Sequence, residues 1–465
     1  MQIIHATKRF QVEQHLQTAL HRSGVERKTK RQTLVTNMGQ EAVQGTKLFN
    51  VDLCRALVSA NIPLKKLDNP AFKSFLQKYT SNHIPDESTL RKNYLAGLYT
   101  QTIEGIRQTL ANDLIWVSVD ETTDVAGRYV ANVIVGAMRP TESSKPYLLT
   151  SEVLEQTNHH TIARLFSESL TLLWPNGVKH DNVLLFVSDA AAYMVKAATG
   201  LKVLYPKMIH VTCLAHASHR VAETVRAFYP EVDRLISAVK KVFCKAPSRV
   251  RKFHEVAPGI PLPPEPIITR WGTWINAAAY YAIHFNEVQT VLQQLQEEDA
   301  ASITVAQLQF RKNGIREQLT YINTWFQKLS DTITELEDSN LPLHRSVSIV
   351  LGLQRNLRDA PGDGAKAASQ KMEKVLHKND GFQKLVKIVE ILEGRANIEN
   401  TFSGDENYSP ADISAYNFAP IVSCDVERSF SRYKALLSDN RRSFTFENLK
   451  MYYIVYSNNS DVAID

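Results

Sequence analysis

Apolar residues recur at spacings of three and four through residues 40–112, in EAVQGTKLFNVDLCRALVSANIPL and again in STLRKNYLAGLYTQTIEGIRQTLAN. That spacing paints one face of an α-helix, so the stretch predicts a helical N-terminal region. Ser88 and the preceding IPDE supply a helix start, because an oxygen placed before the first turn takes up its free N–H groups. The period then changes. DLIWVSVDET, RYVANVIVGAMRP and KPYLLTSEVLE are β-branched runs parted by short polar turns, which predict a three-stranded meander. A helix pattern (HHTIARLFSESLTLLW), a strand (NVLLFVSDAA), a second helix (AYMVKAATGLKVL) and a short strand (KMIHVTC) come next.

Hairpin-linked strands succeeded by alternating helix and strand predict an α/β fold, a mixed sheet with helices packed on it. Asp120 closes the first strand and Asp189 the fourth. If those two strands lie side by side and parallel, both carboxylates emerge at one edge of the sheet. From His216 to about Leu392 the spacing is helical, and RDAPGDGAKAAS and NTFSGDENYSPADISAYNFAP read as linkers. In the last segment, PIVSCDVERSFSRYKALLSDNRRSFTFENLKMYYIVYSN, the positions Val426, Phe430, Tyr433 and Leu437 form an apolar stripe behind an N-cap at Ser423. Glu427 sits beside that stripe in the first turn.

A length of 465 residues implies two or three domains. Hydrophobic content of 44% and charged content of 22% suit a soluble globular protein, and no apolar run approaches the ~20 residues that span a bilayer. The N-terminal stretch lacks the apolar core of a signal peptide, so secretion is not expected. The four cysteines, Cys54, Cys213, Cys244 and Cys424, form no disulfide framework, and a reducing compartment fits them. The net charge of +6 permits a polyanionic partner without requiring one. Two basic runs stand out: Arg27, Lys28, Lys30 and Arg31, a nuclear-import signal, a DNA-tracking arm or a solvated linker; and Lys245, Arg249, Arg251 and Lys252, placed to meet a phosphate backbone or to solvate a helix end.

The stretch VSVDETTD runs an apolar strand into three acids, Asp120, Glu121 and Asp124. A carboxylate beside a buried strand is costly unless a metal ion, a basic side chain or a helix N-terminus meets it. Asp120 and Asp189 fit either a metal role or the capping of the next helix, and Glu427 either a metal role or an acid favoured by its helix dipole. Glu121 and Asp124 read as solvated or locally hydrogen-bonded groups.

SVDETTD, VSDAAAYM, CLAHASH, ITRWGTW and SCDVERSFSRYKALLSDNRRSFTFENLKMYYIV occur in the order of the motifs of hAT-superfamily transposases, which the chain resembles over about residues 40–458. The resemblance implies an RNase H-like catalytic region interrupted by an all-helical insertion. On that pattern residues 1–39 are a basic segment and possible remnant of a BED zinc finger, and 40–112 a helical N-terminal domain. Residues 113–218 are the first part of the core, 219–400 the insertion, and 401–465 the returning part of the core with the dimerisation region. Asp120, Asp189 and Glu427 would be the DDE triad, holding Mg²⁺ or Mn²⁺ for DNA cleavage and strand transfer. Two such ions roughly 3.5–4 Å apart can serve the attacking and the leaving oxygens.

Cys213 and His216 then match the family's C/D-x-x-H element near the active site, which implies that His216 contacts the scissile phosphate or flanking DNA, against the plainer reading of a buried thiol and a helix-start histidine. Trp271 matches a tryptophan that stacks on a displaced base, with Arg270 beside it for a phosphate, although core packing suits it too; Trp274 reads as core. CLAHASH lacks a second ligand pair and His15 with His21 lack their two cysteines, so zinc is not expected in this chain. DNA as substrate, a homodimer or higher homo-oligomer through the C-terminal region, no membrane association and a nuclear location complete the expectation. The main alternative is a domesticated, non-catalytic DNA-binding and dimerisation protein, and a third reading is a cellular RNase H-like nuclease that cleaves without joining.

Overall fold

The computed structural model describes residues 47–80, 82–266, 272–402, 408–437 and 444–459. The chain forms two compact units, Met1–Thr102 with Arg441–Asp465, and Ile103–Asn440. In the first, residues 47–59 are helical, and the helices Pro70–Thr80, Glu87–Asn93 and Phe446–Asn459 accompany them. Asp86, two residues before Ser88, caps Glu87–Asn93 by accepting from Thr89 N at 2.7 Å. Tyr452 Oη donates to Ile62 O at 3.1 Å, which ties the last described helix to the segment just after residues 47–59.

The second unit is built on one five-stranded sheet. Its strands are β1 (Ile115–Thr123), β2 (Tyr129–Ala137), β3 (Tyr147–Leu154), β4 (Val183–Ser188) and β5 (Ile209–Thr212), in the order β3-β2-β1-β4-β5. β1, β2 and β3 are the antiparallel meander read from the sequence, and β4 joins β1 in parallel with β5 beyond it. This mixed α/β architecture is consistent with an RNase H-like core carrying helical insertions.

The β1–β4 register ends at Ser118 opposite Val187. Two residues further along each strand, Asp120 and Asp189 therefore lie level. One detail departs from the sequence reading. Asp120 is the sixth residue of β1 rather than its last, because antiparallel β2 keeps pairing as far as Thr123 opposite Tyr129 after parallel β4 has stopped. β1 is buried from Ile115 through Asp120, as befits a central strand covered on both faces. Trp116 sits opposite Gly136, where a Cβ would come within 2.5 Å of the indole.

The helices that position the site are α1 (His159–Leu173), α2 (Ala192–Leu201), α3 (Leu214–Phe228), α4 (Pro230–Phe243), α5 (Pro247–Val256), α6 (Thr273–Ile283), α7 (Ile315–Leu336), α8 (Asp363–His377), α9 (Asp380–Leu392) and α10 (Cys424–Leu436). α1 opens with a capping box between Asn158 and Thr161 and packs on α2 and β3. α3 leaves the end of β5 and packs against α7 and α8, while α10 returns to lie on β1 and β2. Among the described residues no strand occurs between β5 and α10, so that part of the unit is helical as expected.

α9 closes the edge of the sheet. Asn379, its N-cap, accepts from Thr212 N at 3.1 Å and donates to Thr212 O at 2.7 Å, so a side-chain amide pairs with the edge strand where another strand otherwise would. Gly381 in the first turn lies so close to β5 that a Cβ there would stand 1.8 Å from His210 O.

Candidate metal centre

Three segments far apart in the chain converge here, each placed by its own local structure. β1 brings Asp120, a carboxylate only 8% exposed, whose Oδ1 accepts from Glu121 N at 2.9 Å. Asp189 comes directly after β4, and its Oδ1 accepts from Ala191 N at 3.0 Å on the way into α2. Glu427 arrives on α10.

Two helix N-termini meet at the site. Cys213 is the N-cap of α3 and Ser423 the N-cap of α10, and Ser423 N donates to Cys213 Sγ at 3.2 Å. Leu214 N donates to Ile421 O at 3.0 Å beside it. Ser423 thus occupies the cap position read from the sequence, but acts there through its backbone N–H, with no side-chain cap bond. One turn into each helix, His216 and Glu427 face one another, Nε2 to Oε1 at 3.6 Å.

α10 is pinned to the sheet by two contacts that sequence reasoning missed. Asn132, the β2 residue opposite Asp120, donates to Ser429 Oγ at 2.8 Å, and Tyr433 Oη donates to Asp124 Oδ2 at 3.1 Å. Val426, Phe430, Tyr433 and Leu437 are buried as their stripe predicts. The signal was there in part: an asparagine inside YVANVIVGA and a serine inside the apolar face of α10 are both polar residues at core positions. Their being partners 297 residues apart was not.

Asp124 holds the β1–β2 turn. It accepts from Ala126 N at 2.8 Å and from Arg128 N at 3.0 Å, and pairs with the Arg128 guanidinium. Burial pushes its carboxyl up, but the bonds from Arg128, Ala126 and Tyr433 outweigh this and hold it below the usual carboxylate range. Such a group stabilises the fold above the unfolded value of about 3.9 and ceases to as pH falls through its lower folded value. Asp124→Asn is therefore expected to lose about 1–3 kcal/mol at pH 7 by urea denaturation, a deficit that narrows in acid.

Asp120 is the opposite case. Burial first, then the charges of Glu427, Asp189 and Glu121, push its carboxyl well above the ordinary range. Burial lowers the His216 imidazole, against the pull of Glu427 and Asp189. Glu121, raised by burial, takes a hydrogen bond from Tyr193 Oη, so it is a bonded group rather than a solvated one. No described basic side chain forms an ion pair with Asp120, so the acids at this sheet edge repel one another.

Ligand atoms from Asp120, His216 and Glu427 all lie within 4.8 Å of one another. Ligands held about 2.1 Å from one ion lie no more than about 4.2 Å apart, so small side-chain rotations would close this set on a divalent cation. Asp189 stands outside the 4.8 Å group, although its charge acts on Asp120, Glu121 and His216.

The other residues singled out from the sequence fall elsewhere. Cys213, 2% exposed, has its sulfur occupied by Ser423 N, so it joins two helix caps and presents no surface to DNA. Lys245, in the left-handed region at φ 53, and Arg251 are exposed at and near the start of α5. Arg249 Nη1 donates to Val242 O at 2.8 Å near the end of α4, and Lys252 pairs with Glu255 at 3.6 Å. Trp274 is core, its Nε1 donating to Asp233 at 3.0 Å. A cavity of about 170 Å³ beside it, lined by His219, Arg226, Asp233 and Lys240 among others, shares no residue with the Asp120 group. Arg270 and Trp271 lie outside the described residues, as do His15, His21, Arg27, Lys28, Lys30 and Arg31.

Residues 85–246, which carry Asp120, Asp189, Cys213 and His216, match the family described as Domain of unknown function (DUF659). DUF659 is a domain of hAT-family transposase-like proteins. Residues 40–97 match the CGGBP1 helical domain. The DUF659 match ends before Glu427, so that residue's place rests on geometry. No curated protein matches the chain. Among the described residues no helix is long and apolar enough to cross a membrane.

Proposed function

We propose that this is a hAT-type transposase, or a protein derived from one, that cuts and joins DNA with a divalent cation held by Asp120 and Glu427 and with Asp189 at the same sheet edge. The observation that carries this reading is Asp120 itself. It is a buried acid with no basic partner among the described residues, surrounded by other acids brought in by β4 and α10. Structural acids are satisfied, as Asp124 is; an acid kept costly is a mark of function.

A divalent ion bound there supplies Lewis acidity at a phosphate and stabilises the leaving oxygen. The chain's own contribution is placement. The two joined caps fix His216 and Glu427 relative to Asp120, and the Asn132–Ser429 bond holds α10 in register on the sheet. DNA as substrate, strand transfer, self-association through the C-terminal region, nuclear location and phosphate contacts from Lys245, Arg249, Arg251 and Lys252 belong to the same reading. It draws on the order of the sequence motifs and on the DUF659 match.

The test is cleavage of a labelled duplex carrying the element's own ends, pre-nicked so that weak end recognition does not mask the chemistry. Metal-dependent products are expected from the native chain, and a loss of about 100-fold or more from Asp189→Asn or Glu427→Gln. No product from a folded native protein that still binds DNA would replace this reading by that of a non-catalytic binding protein.

A further inference from the structure

We infer that His216 is a ligand of the cation held by Asp120 and Glu427, and that the site therefore takes a first-row transition ion of the Mn²⁺, Co²⁺ and Zn²⁺ class in preference to Mg²⁺. This rests on the reading of Asp120 and Glu427 as cation-holding residues.

The distances argue for it. His216 Nε2 and Glu427 Oε1 are 3.6 Å apart, longer than the 2.7–3.2 Å of an N–H···O hydrogen bond. Two atoms bound to one ion at about 2.1 Å each are separated by roughly 3–4.2 Å, which brackets the observed gap. Asp120 completes the group within 4.8 Å, whereas Asp189 is not part of it. His216 is also held in place: the bond between Ser423 N and Cys213 Sγ and that between Leu214 N and Ile421 O lock the start of α3 to the start of α10. Both helices thus deliver a first-turn side chain to the same point.

The chemistry of the donors sets the ion. An all-oxygen site suits Mg²⁺, a hard cation that keeps its waters. One imidazole among two carboxylates makes the site borderline, and affinity then rises from Mn²⁺ towards Co²⁺ and Zn²⁺. The Cys213 thiol is not a fourth ligand, since its sulfur faces Ser423 N at the other end of the turn.

The experiment is direct metal binding by the full chain, with Mg²⁺, Mn²⁺ and Co²⁺ titrated separately and pulsed electron paramagnetic resonance recorded on the Mn²⁺ form. We expect Co²⁺ to bind at least about 100-fold more tightly than Mg²⁺, and nitrogen coupling from an imidazole to appear on Mn²⁺. His216→Asn should abolish that coupling and weaken Co²⁺ about 30-fold or more, with Mg²⁺ changed less than about threefold. His216→Asp, which supplies an oxygen in place of nitrogen, should restore binding with Mg²⁺ favoured. Mn²⁺ bound without nitrogen coupling, or Co²⁺ affinity unchanged in His216→Asn while Asp120→Asn and Glu427→Gln abolish it, overturns the role of His216 and leaves the carboxylate site standing. Binding indifferent to all three variants overturns both.

Discussion

Asp120→Asn is expected to yield a folded protein whose metal-free form melts higher than the native chain at neutral pH and which, on the proposed function, no longer cleaves DNA. Both effects have one cause. The carboxylate is buried among Glu427, Asp189 and Glu121, so its ionised form is disfavoured and its folded pKa lies well above the unfolded value of about 3.9. A group raised in this way gives its full contribution to stability below the unfolded pKa. That contribution is lost as pH rises through the folded value. At pH 7 the native protein therefore carries a strain that asparagine, nearly the same shape and uncharged, does not.

A gain of about 1 kcal/mol or more is expected for the metal-free variant, or roughly 1–2 °C in Tm for each kcal/mol. The advantage should shrink towards pH 4, where the native carboxyl is protonated. A divalent cation should reverse the order, raising the Tm of the native chain and not that of the variant. Calorimetry of both proteins at pH 4 and pH 7, with and without Mn²⁺, reads all of this. A variant that melts lower than the native chain at both pH values, or that still cuts DNA, contradicts the assignment of Asp120.

Among the described glycines of the second unit, Gly381 is the one whose replacement by alanine is expected to cost the most stability. The added Cβ would sit 1.8 Å from His210 O, and backbone cannot rotate away as a side chain can. α9 would have to lift from β5, taking with it the Asn379 pairing to Thr212 that closes the sheet edge. Overpacking costs typically about 1–3 kcal/mol, and a clash with strand backbone belongs at or above the upper end. Chemical denaturation should show a loss of about 3 kcal/mol or more, or the variant should fail to accumulate as folded protein. Gly352→Ala, in a helix where nothing stands within 4 Å of the new Cβ, is the control and should be neutral or slightly stabilising. Equal stability of the two variants would mean that α9 is not in close contact with β5.

Much of the fold was legible because it is written in local period. Alternation and β-branching marked the strands, spacing of three and four marked the helices, and the order of these elements implied a mixed sheet and allowed β1 to lie beside β4. The Val426–Leu437 stripe is a similar case, since one face of α10 had to be buried whatever lay beneath it. The acids were legible too: Asp120 and Asp189 sit at corresponding points of two strands, and parallel pairing brings such points level.

What the sequence determined by itself is thus the elements, their order and the candidates for chemistry, because each depends on neighbours within a few residues. Tertiary structure alone decided which candidates meet. His216 and Glu427 are brought face to face by a hydrogen bond between two helix caps, one of them a thiol that sequence reasoning had offered to DNA. Asn132 and Ser429 meet only because α10 crosses β2 at that point. It also decided that Asp189 stands apart from the closest group of ligand atoms, since the backbone at the end of β4 turns its carboxylate to Ala191 N. Contacts of this kind depend on how elements pack across hundreds of residues, and no local pattern in the chain encodes a distance of that sort.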